Sequence, residues 1–167
     1  MSENSKRIVL TGASRGIGHA TVKRFSDEGW RIITCSREEV PDACKRDPNW
    51  TQHIPTDLAD TASVENFIQE TNEILGNEEL HALVNNAAIS PKSPQSSRLG
   101  CLDGDVERWR EVFELNLFTP LMLCRGFAAA LGRGARDSGA SIVNVTSIAG
   151  HAIHPFAGSA YVTSKAA

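Results

Sequence analysis

A phenol and an ammonium group stand four residues apart in SAYVTSKAA, at Tyr161 and Lys165. On a helix that spacing puts both on one face, one turn apart. A tyrosine hydroxyl ordinarily titrates near pH 10, too high for easy proton exchange at neutrality. A neighbouring ammonium favours the phenolate and brings the group toward the range of a general acid/base. By itself, Y-x-x-x-K also describes an ordinary surface pair on a helix. Two more polar residues strengthen the chemical reading. Ser147 ends an apolar run in VNVTSIAG, where its hydroxyl can donate to a carbonyl oxygen; it can also be a simple strand-end turn residue. Asn116, in ELNLF, is an amide inside an apolar helical stretch, either a satisfied buried group or part of the same site.

A second constellation lies at the other end of the chain. The apolar run RIVL leads into TGASRGIGHA, with glycines at Gly12, Gly16 and Gly18. Gly12 can make the tight turn off a strand, Gly16 can let the backbone approach a pyrophosphate, and Gly18 can let a new helix pack closely. The helix N-terminus would then face phosphate oxygens with free N–H groups and the positive end of its dipole. At the end of the second apolar run, NAD-binding folds place an acidic residue that holds the adenine ribose hydroxyls. This sequence has Ser36 and Arg37 there, and Arg15 inside the glycine loop. Guanidinium groups suit a 2′-phosphate, so the expected cofactor is NADP(H) rather than NAD(H).

These residues need a scaffold that brings both ends together. Short apolar runs alternate with helical patterns. The strands expected are RIVLTG, RIITCSR, a short one in TQHIPTDL, HALVNNAA and ASIVNVTS. The helices expected are ATVKRFSDEGW, TASVENFIQETNEILG with Thr61 at its cap, a long one from Asp105 to Leu131 bent at Pro120, and one beginning near Ser159. Alternation of this kind implies parallel pairing and an α/β, doubly wound sheet with helices on both faces, of Rossmann type. The nearly continuous apolar strands fit a sheet covered on both sides. The segments SREEVPDACKRDPNW and SPKSPQSSRLGCLDGD read as loops, the first a weak helix at best.

With 167 residues the chain fits a single domain, 1–167. Its 41% apolar and 22% charged residues are ordinary for a soluble protein, and a net charge of −3 lacks the basic footprint of a nucleic-acid binder. Cys35, Cys44, Cys101 and Cys124 form no metal or redox spacing and read as reduced thiols of a cytoplasmic protein. MSENSKRIVL has no apolar core of a signal peptide. FTPLMLCRGFAAALG is too short to span a bilayer and carries Arg125, so no membrane association is expected. His151 and His154 form an H-x-x-H pair without further ligands in view, so no metal is expected.

Taken together, TGASRGIG, NNAA, LNL, VTSIAG and YVTSK, in that order, resemble the classical short-chain dehydrogenases/reductases over the whole chain. The resemblance implies an oxidoreductase that moves a hydride between NADP(H) and a carbonyl or alcohol substrate. It implies Tyr161 as acid/base, Lys165 as the group that lowers its pKa and holds the nicotinamide ribose, Ser147 orienting the substrate oxygen, and Asn116 supporting a water in a proton relay. Dinucleotide contacts carry over to Gly12, Ser14, Arg15, Gly16, Ile17, Gly18, Arg37, Leu58, Asn86 and Ala87, with Asp57 at the adenine. A 3-oxoacyl thioester is one substrate class in view; sugars, steroids and quinones stay open. The intact protein is expected to be a homo-oligomer, dimer or tetramer. Three features depart from the pattern or extend it. Ala88 replaces the last glycine of N-N-A-G. The loop between Ala88 and Asn116 is a few residues longer than usual and is expected to shape the substrate side. The chain is shorter than family members, so it is expected to be a piece of a longer protein that does not turn over efficiently alone. Two rival readings are an epimerase or dehydratase, whose G-x-x-G-x-x-G spacing this loop lacks, and a non-catalytic NADP-binding sensor or interaction protein.

Overall fold

The computed structural model describes residues 5–37, 47–93, 98–103, 105–137, 139–152 and 156–167. Its elements are β1 (Arg7–Thr11), α1 (Gly16–Asp27), β2 (Arg31–Ser36), β3 (Trp50–Pro55), α2 (Thr61–Leu75), β4 (Ala82–Asn85), α3 (Val106–Phe113), a π-helical turn (Glu114–Phe118), α4 (Thr119–Gly126), α5 (Ala128–Asp137), β5 (Ser141–Asn144), a 3-10 turn (Ile148–Gly150) and α6 (Ser159–Ala166). All strands are parallel, in the order β3-β2-β1-β4-β5. The chain winds outward from β1 to β3, then returns to β4 on the other side of β1. That reversal opens a crevice beyond the carboxyl ends of β1 and β4, where such sheets bind ligands.

Alternation along the strands sends side chains to two cores. Val9, Ile33 and Leu83 meet Phe67, Leu123, Phe127 and Leu131 on one face. Ile8, Leu10, Ile32 and Val84 meet Val22 and Trp50 on the other. The reading of strands covered on both faces therefore holds for β1 and β4, but not for β5. All four residues of β5 are exposed, and Ile142 and Val143 are each 47% accessible at the edge of the sheet.

Three element boundaries differ from expectation. Helix α1 starts at Gly16, inside the glycine loop, and ends before Gly29, whose φ of 75° lets Trp30 N–H close back on the Phe25 carbonyl. Asp60, not Thr61, caps α2, because its carboxylate accepts the Ala62 N–H at 3.1 Å. The long helix turns by 57° at Phe127 rather than at Pro120. Pro120 falls just after the π-helical turn, in the first turn of α4, where the backbone register has already shifted and its missing donor causes no break. Among the described residues no single helix is long and apolar enough to cross a membrane. The bent pair that meets the length and composition requirement buries Val112, Leu123, Phe127 and Leu131 in the core.

At the opposite end of the sheet, the side chain of His81 is 6% exposed. Its Nδ1 accepts the Arg7 N–H at 3.1 Å, its Nε2 lies 3.2 Å from Glu79, and its ring meets Trp30 edge-on. Arg7 and Arg31 both pair with Glu78 nearby. Burial first, then the charges of Arg7 and Lys6, hold the His81 pKa below its ordinary 6.5. The folded state thus keeps His81 neutral while the unfolded chain protonates it. Its contribution to stability is full above about pH 6.5 and is lost as pH falls from there through the folded value. Thermal unfolding at pH 7.5 and 5.5 should show a smaller acid-induced drop in Tm for His81→Asn than for the wild type. Equal drops would place the acid sensitivity elsewhere.

Candidate active site

The crevice is built from loops at the carboxyl ends of β1, β2, β3 and β4. Gly12, with φ 70°, turns the chain off β1, and a Cβ there would come within 2.9 Å of the Ala87 backbone. Gly16 has φ 57° and open space where a Cβ would stand. A Cβ on Gly18 would lie 2.1 Å from the Gly12 carbonyl oxygen, so the close approach it permits is to the loop itself. Thr11 and Asn86 brace this loop. Thr11 Oγ1 accepts the N–H groups of Asn86 and Ala87 at 3.1 and 3.0 Å, and Asn86 Nδ2 donates to the carbonyls of Thr11 and Gly12. No side chain caps the start of α1, and its first turn carries no acidic residue. Its leading N–H groups are therefore suited to an anion.

These walls enclose a cleft of about 530 Å³. Gly12, Ser14, Arg15, Ile17 and Gly18 line it from one side, Ser36, Arg37, Thr56 and Leu58 from another, and Asn86, Ala87, Ala88, Ile89 and Leu115 from the third. Asp57 does not line it. It is exposed, and its Oδ1 accepts the Ala59 N–H at 3.0 Å while its own N–H donates to Ser63, so its carboxylate shapes the entry to α2. The Cys35 carbonyl accepts the Gly12 N–H, and burial pushes the Cys35 thiol up to about 12, which leaves it protonated and inert.

The chemistry-bearing side chains sit on α6 and on the turn after β5. Tyr161 lies in the first turn of α6, in a narrow gap lined also by Pro91, Leu99, Trp109, Val112 and Gly158. The loop that was expected only to shape the substrate side thus also packs the tyrosine helix: the Leu99 carbonyl accepts the Ser159 N–H at 2.9 Å. Lys165 Nζ donates to the Val145 carbonyl at 2.7 Å, and burial pulls its pKa below the ordinary lysine value. Ser147 Oγ accepts the Ala149 N–H at 3.2 Å, which leaves its own O–H to donate elsewhere. Asn116 is 7% exposed in the π-helical turn. Its Oδ1 accepts the Ile89 N–H at 2.9 Å, and its Nδ2 donates to the Ile89 carbonyl and to Ser164 Oγ, each at 3.0 Å. Both amide hydrogens are spent within the protein, so the side chain ties the β4 loop to α6.

Thr11, Ser164 and Gly150 were not singled out from the sequence. Ser164, between Tyr161 and Lys165, offered a weak signal as a small polar residue on the same helix. Thr11 and Gly150 offered none beyond their places beside the motifs. Among the described residues no group of three metal-ligating side chains occurs; His154 lies outside them. Residues 38–46, 94–97 and 104 of the two loops also lie outside.

Residues 6–167 match the family model of the short chain dehydrogenases. Protein FixR of Bradyrhizobium diazoefficiens is 48% identical over 163 residues, which make up 97% of this chain and 57% of FixR. A crystal structure of a short chain dehydrogenase/reductase family oxidoreductase from Brucella ovis, in complex with a partially ordered NAD, is 48% identical with a TM-score of 0.89, over 98% of this chain and 72% of that one. The Pseudomonas aeruginosa RhlG/NADP complex is 28% identical with a TM-score of 0.81, over 99% of this chain and 63% of that one. The chain spans little more than half of its first curated relative, and over that span it belongs to the short-chain dehydrogenase/reductase family.

Proposed function

We propose that the protein is an oxidoreductase that transfers a hydride between NADP(H) and a carbonyl or alcohol carbon. The observation that carries this reading is the uncapped start of α1 at a cleft that the loops after β1, β2 and β4 share. The residues fit a dinucleotide: the open side of Gly16 admits a phosphate close to the backbone, and the α1 N–H groups face it. The nicotinamide, when bound, supplies the hydride chemistry. Tyr161 exchanges a proton with the substrate oxygen, and Ser147 donates where negative charge develops on that oxygen. Lys165 is anchored by Val145 through one of its three N–H donors, which leaves two for the ribose. Asn116 fixes α6 through Ser164, and support of a water in a proton relay is the further role assigned to it. A 3-oxoacyl thioester is the first substrate to assay. Phe118 and Leu121, about half exposed, support a dimer or tetramer in the intact protein.

The preference for NADP(H) rests on Arg15 and Arg37, both of which line the cleft, and on the lack of any carboxylate among its described lining residues. The Brucella relative was solved with NAD, so the ratio of affinities is the informative measurement. Arg37→Asp should lower the NADPH to NADH affinity ratio by about tenfold, the low end for a charge-assisted contact because Arg37 is exposed. Equal wild-type binding of both, or an unchanged ratio in the variant, would refute the preference.

A further inference from the structure

A buried hydroxyl stands between the two chemistry-bearing side chains of α6. At about 100° per residue, Ser164 lies about 60° to one side of Tyr161 around the helix axis, and Lys165 about 40° to the other. Tyr161 and Lys165 are half-buried, while Ser164 is 3% exposed. The face that carries Ser164 is therefore turned into the protein, where its Oγ meets Asn116 of the π-helical turn at 3.0 Å.

The donor inventory sets the direction of these bonds. The Ile89 N–H only donates, so the Asn116 atom that faces it at 2.9 Å is Oδ1. Nδ2 then carries both amide hydrogens, which go to the Ile89 carbonyl and to Ser164 Oγ. Ser164 accepts from that amide, so its own hydrogen is directed to the Tyr161 carbonyl at 2.8 Å, a normal O–H···O distance. In an α-helix this carbonyl also faces the N–H four residues on, and its second lone pair takes the serine hydrogen. An unbroken path thus runs from the backbone of Ile89 to the backbone of Tyr161. Its far end stands on the wall of the cleft, which Ile89 lines.

No side chain caps α6 at Gly158. The helix is tied at Ser159, whose N–H donates to the Leu99 carbonyl, and at Lys165, whose Nζ donates to Val145. The first bond fixes one end of the helix, and the second holds the tip of a flexible side chain. The Ser164 hydroxyl instead grips the backbone of Tyr161 itself. We propose that Ser164 is a positioning residue for Tyr161: pinned through Asn116 to the cleft wall at Ile89, it sets the rotation of α6 that brings the phenol to the substrate oxygen. The proposal rests on the acid/base role given to Tyr161 above, and Ser164 acts only through that residue.

The test compares wild type, Ser164→Ala, Tyr161→Phe and the Tyr161→Phe/Ser164→Ala double variant of the intact protein. Steady-state kinetics with NADPH and a panel of carbonyl compounds are set beside calorimetric binding of NADPH. Ser164→Ala should lower kcat by about tenfold, part of the loss that misplacing a reacting group by an ångström brings. Alanine is a good helix former, so α6 should persist. NADPH affinity should stay within about twofold of wild type, because position 164 does not line the cleft. In the Tyr161→Phe background the same substitution should lower the residual turnover by no more than about twofold, since the phenol it acts through is gone. Three results would overturn the role of Ser164 while leaving the acid/base reading in place. These are a Ser164→Ala kcat within about twofold of wild type, a tenfold loss that recurs in the Tyr161→Phe background, and a matching loss of NADPH affinity. A wild type that reduces none of the panel, or a Tyr161→Phe variant with wild-type turnover, overturns the acid/base reading and this proposal with it.

Discussion

In the intact protein, Tyr161→Phe is expected to lower turnover of a carbonyl substrate by about 10²–10⁴-fold, the contribution proposed for a positioned general acid/base. The substitution removes one oxygen and keeps the ring that packs beside Pro91, Leu99, Trp109 and Val112. The N–H of Ser159 and the hydroxyl of Ser164 would keep their partners, so α6 should stay in place. The glycine-loop residues proposed to hold the dinucleotide lie on other elements, and Tyr161 is not among the residues lining that cleft, so NADPH binding should survive. Steady-state kinetics with NADPH and a panel of carbonyl compounds, beside calorimetric binding of NADPH, separates the two effects. Turnover within a few fold of wild type would mean that another group exchanges the proton. A parallel loss of NADPH affinity would mean that the phenol acts in binding rather than in proton transfer.

The parts of the fold that were legible in the sequence are those whose signals are local. Strand β1, the glycine loop and α1 follow from an apolar run, glycines at three positions and a helical pattern, all within two dozen residues. The spacing of Tyr161 and Lys165 is local too, although it becomes distinctive only beside the other motifs. What stayed hidden depends on pairing between distant segments. Ser36 and His53 are 17 residues apart, and only the parallel register of β2 and β3 makes them neighbours. Asn116 reads as an isolated amide until α6 and the loop after β4 supply its partners. The bend of the long helix was misplaced for a related reason. Proline removes a donor, but whether that breaks a helix depends on the local register, and the π-helical turn at Glu114–Phe118 has no strong sequence signature. Asp57, matched to a cofactor contact, also serves its own turn, where Oδ1 accepts the Ala59 N–H.

In the intact protein, Gly150→Ala is expected to reduce kcat by about 10²-fold, the cost of displacing the proposed catalytic groups by roughly an ångström. Gly150 closes the 3-10 turn that follows Ser147, and this turn rests on the end of α6. A Cβ at position 150 would stand 2.5 Å from the Lys165 carbonyl oxygen, 2.8 Å from its carbonyl carbon and 3.1 Å from the Ala166 nitrogen. All three are backbone atoms, so no side-chain rotation relieves the contact. Either the turn carrying Ser147 or the helix carrying Tyr161 and Lys165 must move. The movement also strains the bond from Lys165 Nζ to Val145, since that carbonyl belongs to the same segment as the turn. Overpacking of this kind costs about 1–3 kcal/mol in stability, so a lower Tm should accompany the kinetic defect. Gly132→Ala is the matched control. Its Cβ would meet nothing within 4 Å, and alanine in the middle of α5 should leave stability unchanged or raise it by about 0.5–1 kcal/mol. NADPH affinity at the glycine loop should persist in both variants, as neither position lines that cleft. A Gly150→Ala protein with wild-type kcat would show that Ser147 and Lys165 do not depend on this contact for their relative placement.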